Sequence, residues 1–336
     1  MWKRVLIVVL GLAGIFVFGA LAALYLRPVA VAPPAGLTVD RSLEHVERGR
    51  YLFLRHACVD CHSEVDGTRF GYPPIEGGLA KGRVMPAEMG LPGTVVAANL
   101  TPDAETGIGN WSDGHLIRAI REGIGHDDRV LFPLMPYTEY AMMSDADVQA
   151  IVAYLRSLPP VRNRLPHTEI RFPVNLMIKS MPKPVGSVAE PNREDPLAYG
   201  KYLVKTAGCE FCHTPVNKGE FDVGRLYGGG QEFLLALNTR VVSANISPHE
   251  QTGIGRWSEQ EFLDKFAQYR GYADNGSPVV EPAMNTVMPW LAYSRMEEGD
   301  LKAIFAYLKT ANPVDQAVVT HPDATEEMKL REKQAK

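Results

Sequence analysis

The chain repeats itself in three places, in one order and at nearly one spacing, and no other feature constrains its fold as strongly. GRYLFLRHACVDCH (49–62) returns as GKYLVKTAGCEFCH (200–213), each with a glycine nine positions before its first cysteine. ANLTPDAETGIGNWSD (98–113) returns as ANISPHEQTGIGRWSE (244–259), identical at nine of sixteen positions. MPYTEYAMMSDADVQAIVAYL (135–155) returns without a gap as MPWLAYSRMEEGDLKAIFAYL (288–308). Two homologous domains are expected, over 35–160 and 195–315, with an N-terminal segment 1–34 ahead of them. A connector, 161–194, joins them, and a charged tail, 316–336, follows.

Within each repeat the readable elements are helices. Asp195 is an N-cap with Pro196 at the first helical position, leading into a helix through Ala207. Ser258 and Glu261 form a capping box ahead of Phe262 and Phe266. Val148, Ile151, Val152 and Leu155 fall at i, i+3, i+4 and i+7, and Leu301, Ile304, Phe305 and Leu308 repeat that stripe. No segment alternates convincingly as a strand, so the expected fold is all-α, with short helices joined by Gly/Pro-rich loops. Gly49 and Tyr51 with Tyr154, and Gly200 and Tyr202 with Tyr307, read as a close helix crossing. Gly107, Gly109, Gly253 and Gly255 read as turn residues.

Eight prolines between Pro159 and Pro196 exclude a long helix there and favour an extended connector. Phe172, Val174, Leu176, Met177 and Ile178 need something to rest on, so the connector is expected to be strapped along the domains. The tail after Thr320 is expected to be solvated or frayed.

Val5 to Leu26 is a run of 22 uncharged residues, about 33 Å at helical rise and enough to cross a hydrocarbon core. Lys3 and Arg4 precede it, and Trp2 and Tyr25 stand at its ends, where aromatic rings favour the membrane interface. An uncleaved anchor is expected, with the rest of the chain on the exported side. A cleaved signal peptide is the alternative, but Ala30-Val31-Ala32 is followed by Pro33, a poor cleavage context. The net charge of −4 and the lack of a Lys/Arg-rich run argue against nucleic-acid binding.

All four cysteines, Cys58, Cys61, Cys209 and Cys212, sit in two C-x-x-C-H knots ending in His62 and His213. A shared zinc ribbon needs its second pair about 15–20 residues on, whereas 147 residues separate Cys61 from Cys209. A thiol-redox pair belongs beside a βαβ pattern, which this chain lacks. The remaining chemistry is covalent haem attachment, with the thiols on the macrocycle and the histidine on the iron. Two covalently attached haem c groups are expected, one per repeat. A large apolar cofactor also supplies core that a loop-rich domain of this size lacks.

The sixth iron ligand separates a relay from a catalyst: methionine gives an electron-transfer site, while a displaceable position permits chemistry. Equivalent domains should use equivalent positions, and Met135 and Met288 align, each followed by proline. His115 and His126 lack histidine counterparts. Met143 and Met296 also align, but each precedes a helix in hydrophobic-staple geometry and reads as packing. Trp111 and Trp257 read either as core aromatics or as indole donors to a haem propionate.

The motifs TPD-x-x-TGIG-x-W-S and MP-x-x-x-Y-x-x-M-S-x-x-D-x-x-A-I-x-A-Y-L resemble those of tandem class I c-type cytochromes. The resemblance is to the cytochrome c subunits that accept electrons from membrane-bound alcohol, aldehyde and sugar-acid dehydrogenases. It covers about residues 40–310. It implies five-helix haem domains, with His62 and Met135 as axial ligands of one iron and His213 and Met288 of the other. It also implies electron relay toward quinone or a terminal oxidase. The family members typically carry three haem domains, against two here. Glu297-Glu298 replaces Ser144-Asp145, and Trp257 to Met288 spans 31 positions against 24 for Trp111 to Met135.

The expected protein is thus a di-haem carrier on the bacterial inner membrane, its haem domains periplasmic and its single span in the lipid bilayer. Its partners would be a dehydrogenase and another cytochrome or a terminal oxidase. A catalytic role is less expected: a thiosulfate dehydrogenase-like or peroxidase-like enzyme would need one unusual iron, sought near loop Arg270–Val287. A haem sensor would need an output domain, for which no segment is left.

Overall fold

The computed structural model describes residues 2–25, 32–34, 36–217 and 219–328. Leu26, positions 30 and 31 of the A-x-A-like site and residues 329–336 lie outside them. Helix α1 (Trp2–Tyr25) leaves its large apolar side chains exposed, Phe16 and Phe18 among them. It is long and apolar enough to cross a membrane.

The first repeat contributes α2 (Leu43–Arg55), α3 (Cys58–His62), strands β1 (Arg83–Met85) and β2 (Gly93–Ala97), then α4 (Asp113–Glu122), α5 (Tyr137–Tyr140) and α6 (Asp145–Ser157). In the connector lie β3 (Glu169–Ile170) and α7 (Val174–Met177). The second repeat begins with α8 (Pro196–Thr206) and α9 (Cys209–His213), followed by β4 (Val216–Asn217), β5 (Glu220–Phe221), β6 (Glu232–Leu234) and β7 (Arg240–Val242). It ends with α10 (Glu259–Ala267), α11 (Arg270–Asn275), α12 (Trp290–Tyr293) and α13 (Glu298–Leu308).

Each repeat is organised around one crossing, α2 on α6 and α8 on α13. The hydrophobic stripes of α6 and α13 are buried there, from Val148 through Leu155 and from Leu301 through Leu308. Glycine permits the approach. A Cβ on Gly49 would stand 1.8 Å from the Ala150 carbonyl oxygen, and one on Gly200 2.0 Å from that of Ala303. Because the obstruction is backbone, the helices would have to separate. Gly200→Ala is expected to cost about 1–3 kcal/mol, the usual penalty of overpacking. Thermal melts would measure it, and an unchanged midpoint would show that the crossing opens freely.

The caps form as the sequence indicates. Asp195 accepts hydrogen bonds from the Leu197 and Ala198 amides, and Ser258 and Glu261 close a capping box on α10. The fold is largely helical, but short strands accompany the helices. β1 and β2 pair antiparallel with Val84 opposite Val96, β3 adds at Gly93, and β6 and β7 pair with Phe233 opposite Val241. β4 and β5 form a further two-stranded pair. Elements of two to five residues offer too few alternations to register as a period.

The connector lies against the first repeat. The Val185 amide donates to Glu122, Arg121 donates to the Gly186 carbonyl, and Ser187 donates to Asp145. The α1 helix touches α7. The tail departs from its expected solvated state, because Thr320 to Met328 packs on the second repeat. The Val242 amide donates to the Thr320 carbonyl, Arg240 pairs with Asp323 at 2.6 Å, and Ala324 is buried beside Ala283 and Met284. A charged composition hid the small apolar residue that helps to anchor it.

The two repeats are in direct contact, with α2 against α12 and α8 against α5. The seven-residue excess of the second repeat contributes to this contact. The Phe70 amide donates to the Pro278 carbonyl, the Val280 amide to that of Thr68, and Asn285 exchanges bonds with Arg69 and Gly71. Phe70 stacks on Tyr269 at 5.2 Å.

Candidate haem-binding sites

In each repeat the long first helix ends two residues before a left-handed position, Ala57 (φ 52°) or Gly208 (φ 74°). The turn starts a five-residue helix that carries the whole C-x-x-C-H knot. At i and i+3 the two cysteines share a helix face. The carbonyl preceding the left-handed residue is tied down from the far end of the repeat. The Tyr140 hydroxyl donates to the His56 carbonyl at 2.8 Å, and Tyr293 to that of Ala207 at 2.6 Å. This tyrosine role escaped the sequence reading, although the aligned M-P-x-x-x-Y spacing carried the signal.

The histidines are held just as symmetrically. His62 Nδ1 donates to the Ala98 carbonyl at 2.8 Å, and His213 Nδ1 to that of Ala244 at 2.7 Å. A carbonyl only accepts, so Nδ1 carries the proton and Nε2 keeps its lone pair for a metal. Burial lowers both imidazole pKa values, which keeps the rings neutral. The next residue anchors the shared loop. Asn99 bonds Thr101 and the Val161 carbonyl, and Asn245 bonds Ser247 and the Val314 carbonyl. The close loop also explains the first glycine of TGIG, since a Cβ on Gly107 or Gly253 would stand 2.2 Å from a carbonyl oxygen.

Both knots open on one continuous cavity of 2720 Å³. Its first half is walled by Phe53, Ile108, Leu116 and Ile151, its second by Ile254, Phe262, Phe266 and Ile304. All four aligned methionines border it, but Met135 and Met288 are partly exposed, whereas Met143 and Met296 are buried in the core at 0% and 3% exposure. Trp111 and Trp257 also line it, and Trp111 stacks on the exposed His126 at 4.4 Å. His115 is engaged at the start of α4, its Nδ1 2.7 Å from the Ser112 hydroxyl.

The wall fits the group that C-x-x-C-H implies. It is apolar and large, and each half offers two thiols and an imidazole nitrogen. Burial first, and neighbouring negative charge second, pushes the Cys58 thiol up to about 12 and Cys61 to about 11. Such thiols are protonated, unlike the depressed thiolates of redox pairs. Among the described residues no group of three His, Cys, Asp or Glu side chains is placed to hold a bare metal ion.

Residues 46–159 match the family model for cytochrome c. The chain carries a cytochrome c domain. Its curated relatives include cytochrome c subunits of dehydrogenases. The gluconate 2-dehydrogenase cytochrome c subunit of Pantoea cypripedii is 31% identical over 83% of this chain and 62% of its own length. The cytochrome c subunit of the quinone alcohol dehydrogenase of Gluconobacter oxydans is 30% identical over 88% and 60%. A diheme cytochrome c-type protein of Cereibacter sphaeroides is 29% identical over 91% of this chain and 98% of its own. The chain thus spans about three fifths of the two dehydrogenase subunits and nearly all of the diheme relative. Covalently bound haem c is the cofactor of the cytochrome c family.

His56, just before the first knot of this cytochrome, is expected to set an acid limit. Burial and then the charge of Arg55 lower its pKa from 6.5 to about 3, while the hydrogen bond to the Leu52 carbonyl and then Asp147 partly offset them. A folded-state value below the unfolded one means that the unfolded chain binds the extra proton. Stability from neutral His56 is therefore full above pH 6.5 and is lost as pH falls toward 3, at about 1.4 kcal/mol per unit. His56→Gln is expected to flatten the pH dependence of the melting temperature between pH 4 and 6.5. An equal slope in both proteins would assign the acid limit elsewhere.

Proposed function

We propose that this chain is a membrane-anchored di-haem c-type cytochrome that relays single electrons from a dehydrogenase or quinol-linked donor to a respiratory acceptor. One observation carries the reading: two equivalent C-x-x-C-H knots, with equivalent histidine and methionine side chains, share one apolar cavity. Residues 35–160 form the first haem domain and 195–315 the second. Cys58 and Cys61 attach one haem, with His62 and Met135 on its iron. Cys209 and Cys212 attach the other, with His213 and Met288. The bound group supplies a one-electron couple, whose potential methionine ligation raises.

The protein's own residues do the rest. The Ala98 and Ala244 carbonyls orient the imidazoles, the apolar walls exclude water, and the knots hold the cofactor permanently. The α1 helix fixes the carrier in the bacterial inner membrane with both sites on the periplasmic side. Its length, and Lys3 and Arg4 before the apolar run, support that orientation. Loop Arg270–Val287, where a catalytic second site would be sought, is engaged with the 68–71 loop, which favours the relay over a peroxidase-like enzyme.

Purified full-length protein is expected to carry two covalent haems per chain, both with low-spin His/Met spectra and neither reacting with peroxide or thiosulfate. It should also stay with the membrane through an alkaline wash. One haem per chain, or a high-spin site that turns over peroxide, would overturn the relay.

A further inference from the structure

Between the repeats lies a group of buried charges that haem attachment does not require. Tyr202 of α8 donates to Asp147 of α6 at 2.7 Å, and Tyr51 of α2 donates to Asp300 of α13 at 2.6 Å. The exchange is reciprocal in the backbone as well. The Ser144 amide donates to the Tyr202 hydroxyl at 3.2 Å, and the Glu297 amide to the Tyr51 hydroxyl at 3.1 Å. Tyr51 aligns with Tyr202, Asp147 with Asp300, and Ser144 with Glu297. Each tyrosine thus reaches past its own repeat to the start of the other's last helix.

Arg55 breaks this symmetry. Its guanidinium is fully buried and donates to Asp147 at 3.1 Å from Nη2 and to Asp300 at 3.2 Å from Nη1. The aligned position in the second repeat is Thr206, whose hydroxyl turns back to the Tyr202 carbonyl. One cation therefore serves a carboxylate from each repeat. Arg48 completes the charge balance on Asp147, and Tyr199 donates to Asp300 at 2.7 Å. Desolvation cancels much of the Coulomb gain of such a triad, so its better-attested use is to fix register.

The register it fixes bears on both knots. Arg55 stands three residues before Cys58 at the end of α2, and Cys212 lies within electrostatic reach of Cys61 across the interface. We propose that Arg55 is the positioning residue that sets the separation of the two haem-attachment sites, by joining Asp147 of one repeat to Asp300 of the other. This rests on the di-haem reading above. A shift of α2 against α13 would move one knot relative to the other while leaving each iron's own ligands in place.

The test uses full-length holoprotein in nanodiscs, with covalent haem counted first. A wild-type count other than two would overturn the di-haem reading itself. With two haems present, Arg55→Gln is expected to keep both His/Met spectra and to slow electron equilibration between the sites, followed by flash photolysis, by roughly tenfold. It should also lose the paired circular-dichroism bands of two coupled haems. Arg55→Lys, able to reach one carboxylate at a time, should recover part of both signals. Tyr51→Phe and Tyr202→Phe keep the rings and remove one exchanged bond each, so they report even if Arg55→Gln does not mature, and each should slow equilibration to a lesser degree. Unchanged equilibration and unchanged coupling in Arg55→Gln, or in both tyrosine variants where it does not mature, would overturn the assignment.

Discussion

Replacing Cys209 and Cys212 together by alanine is expected to halve the covalent haem content, leaving one group on Cys58 and Cys61. The chain has no other cysteine, so no thiol can substitute. Intact-mass measurement of the purified protein reads the loss directly as one haem per chain. The vacated half of the cavity, lined by Phe262, Phe266 and Ile304, would lose its filling, at a cost on the order of several kcal/mol by analogy with large-to-small core changes. The second repeat should therefore melt earlier while the first keeps its spectrum. Retention of two haems by the double variant would refute the assignment of the second knot.

Met135→Ala and Met288→Ala are expected to act on the iron and not on attachment. Each should keep two covalent haems, lose one sulfur-ligated signature, and lower one potential by on the order of 0.1 V, a part of the roughly 0.8 V that axial ligands span. Met143→Leu and Met296→Leu provide the contrast. Both side chains are buried in the core, so an isosteric swap should leave the potentials alone and cost less than about 1.5 kcal/mol. Redox titration of the four variants separates the two methionine pairs. A potential that moves with Met143 or Met296 instead would exchange their roles.

Much of this architecture was legible because its signals are local or repeated. The knots, the capping residues Asp195 and Ser258, and the stripes of α6 and α13 each depend on spacing within one helix or its cap. Alignment of the repeats then paired Met135 with Met288 without any knowledge of the fold. What escaped depends on contacts between distant segments. Tyr51 and Tyr202 read as parts of a helix crossing, and they lie beside one, yet their hydroxyls serve the opposite repeat. The packed tail takes its stability from partners far along the chain, Thr320 meeting Val242 for example. The short strands, by contrast, pair mostly with near neighbours and are too brief to show a period. Loop Arg270–Val287 stood out by length alone, and only its bonds to residues 68–71 reveal its use.

The exchange of tyrosines between equivalent aspartates has the form of an isologous contact, in which each half gives what it receives. Two separate copies of one such repeat could make the same bonds in duplicate across a twofold axis. They could not use an arginine as Arg55 is used, because symmetry would bring a second guanidinium to the same buried place. Covalent linkage removes that restriction: with Thr206 opposite Arg55, one half can carry the charge for both. The connector thus does more than keep two repeats together. It permits a central residue that no pair of identical partners could accommodate.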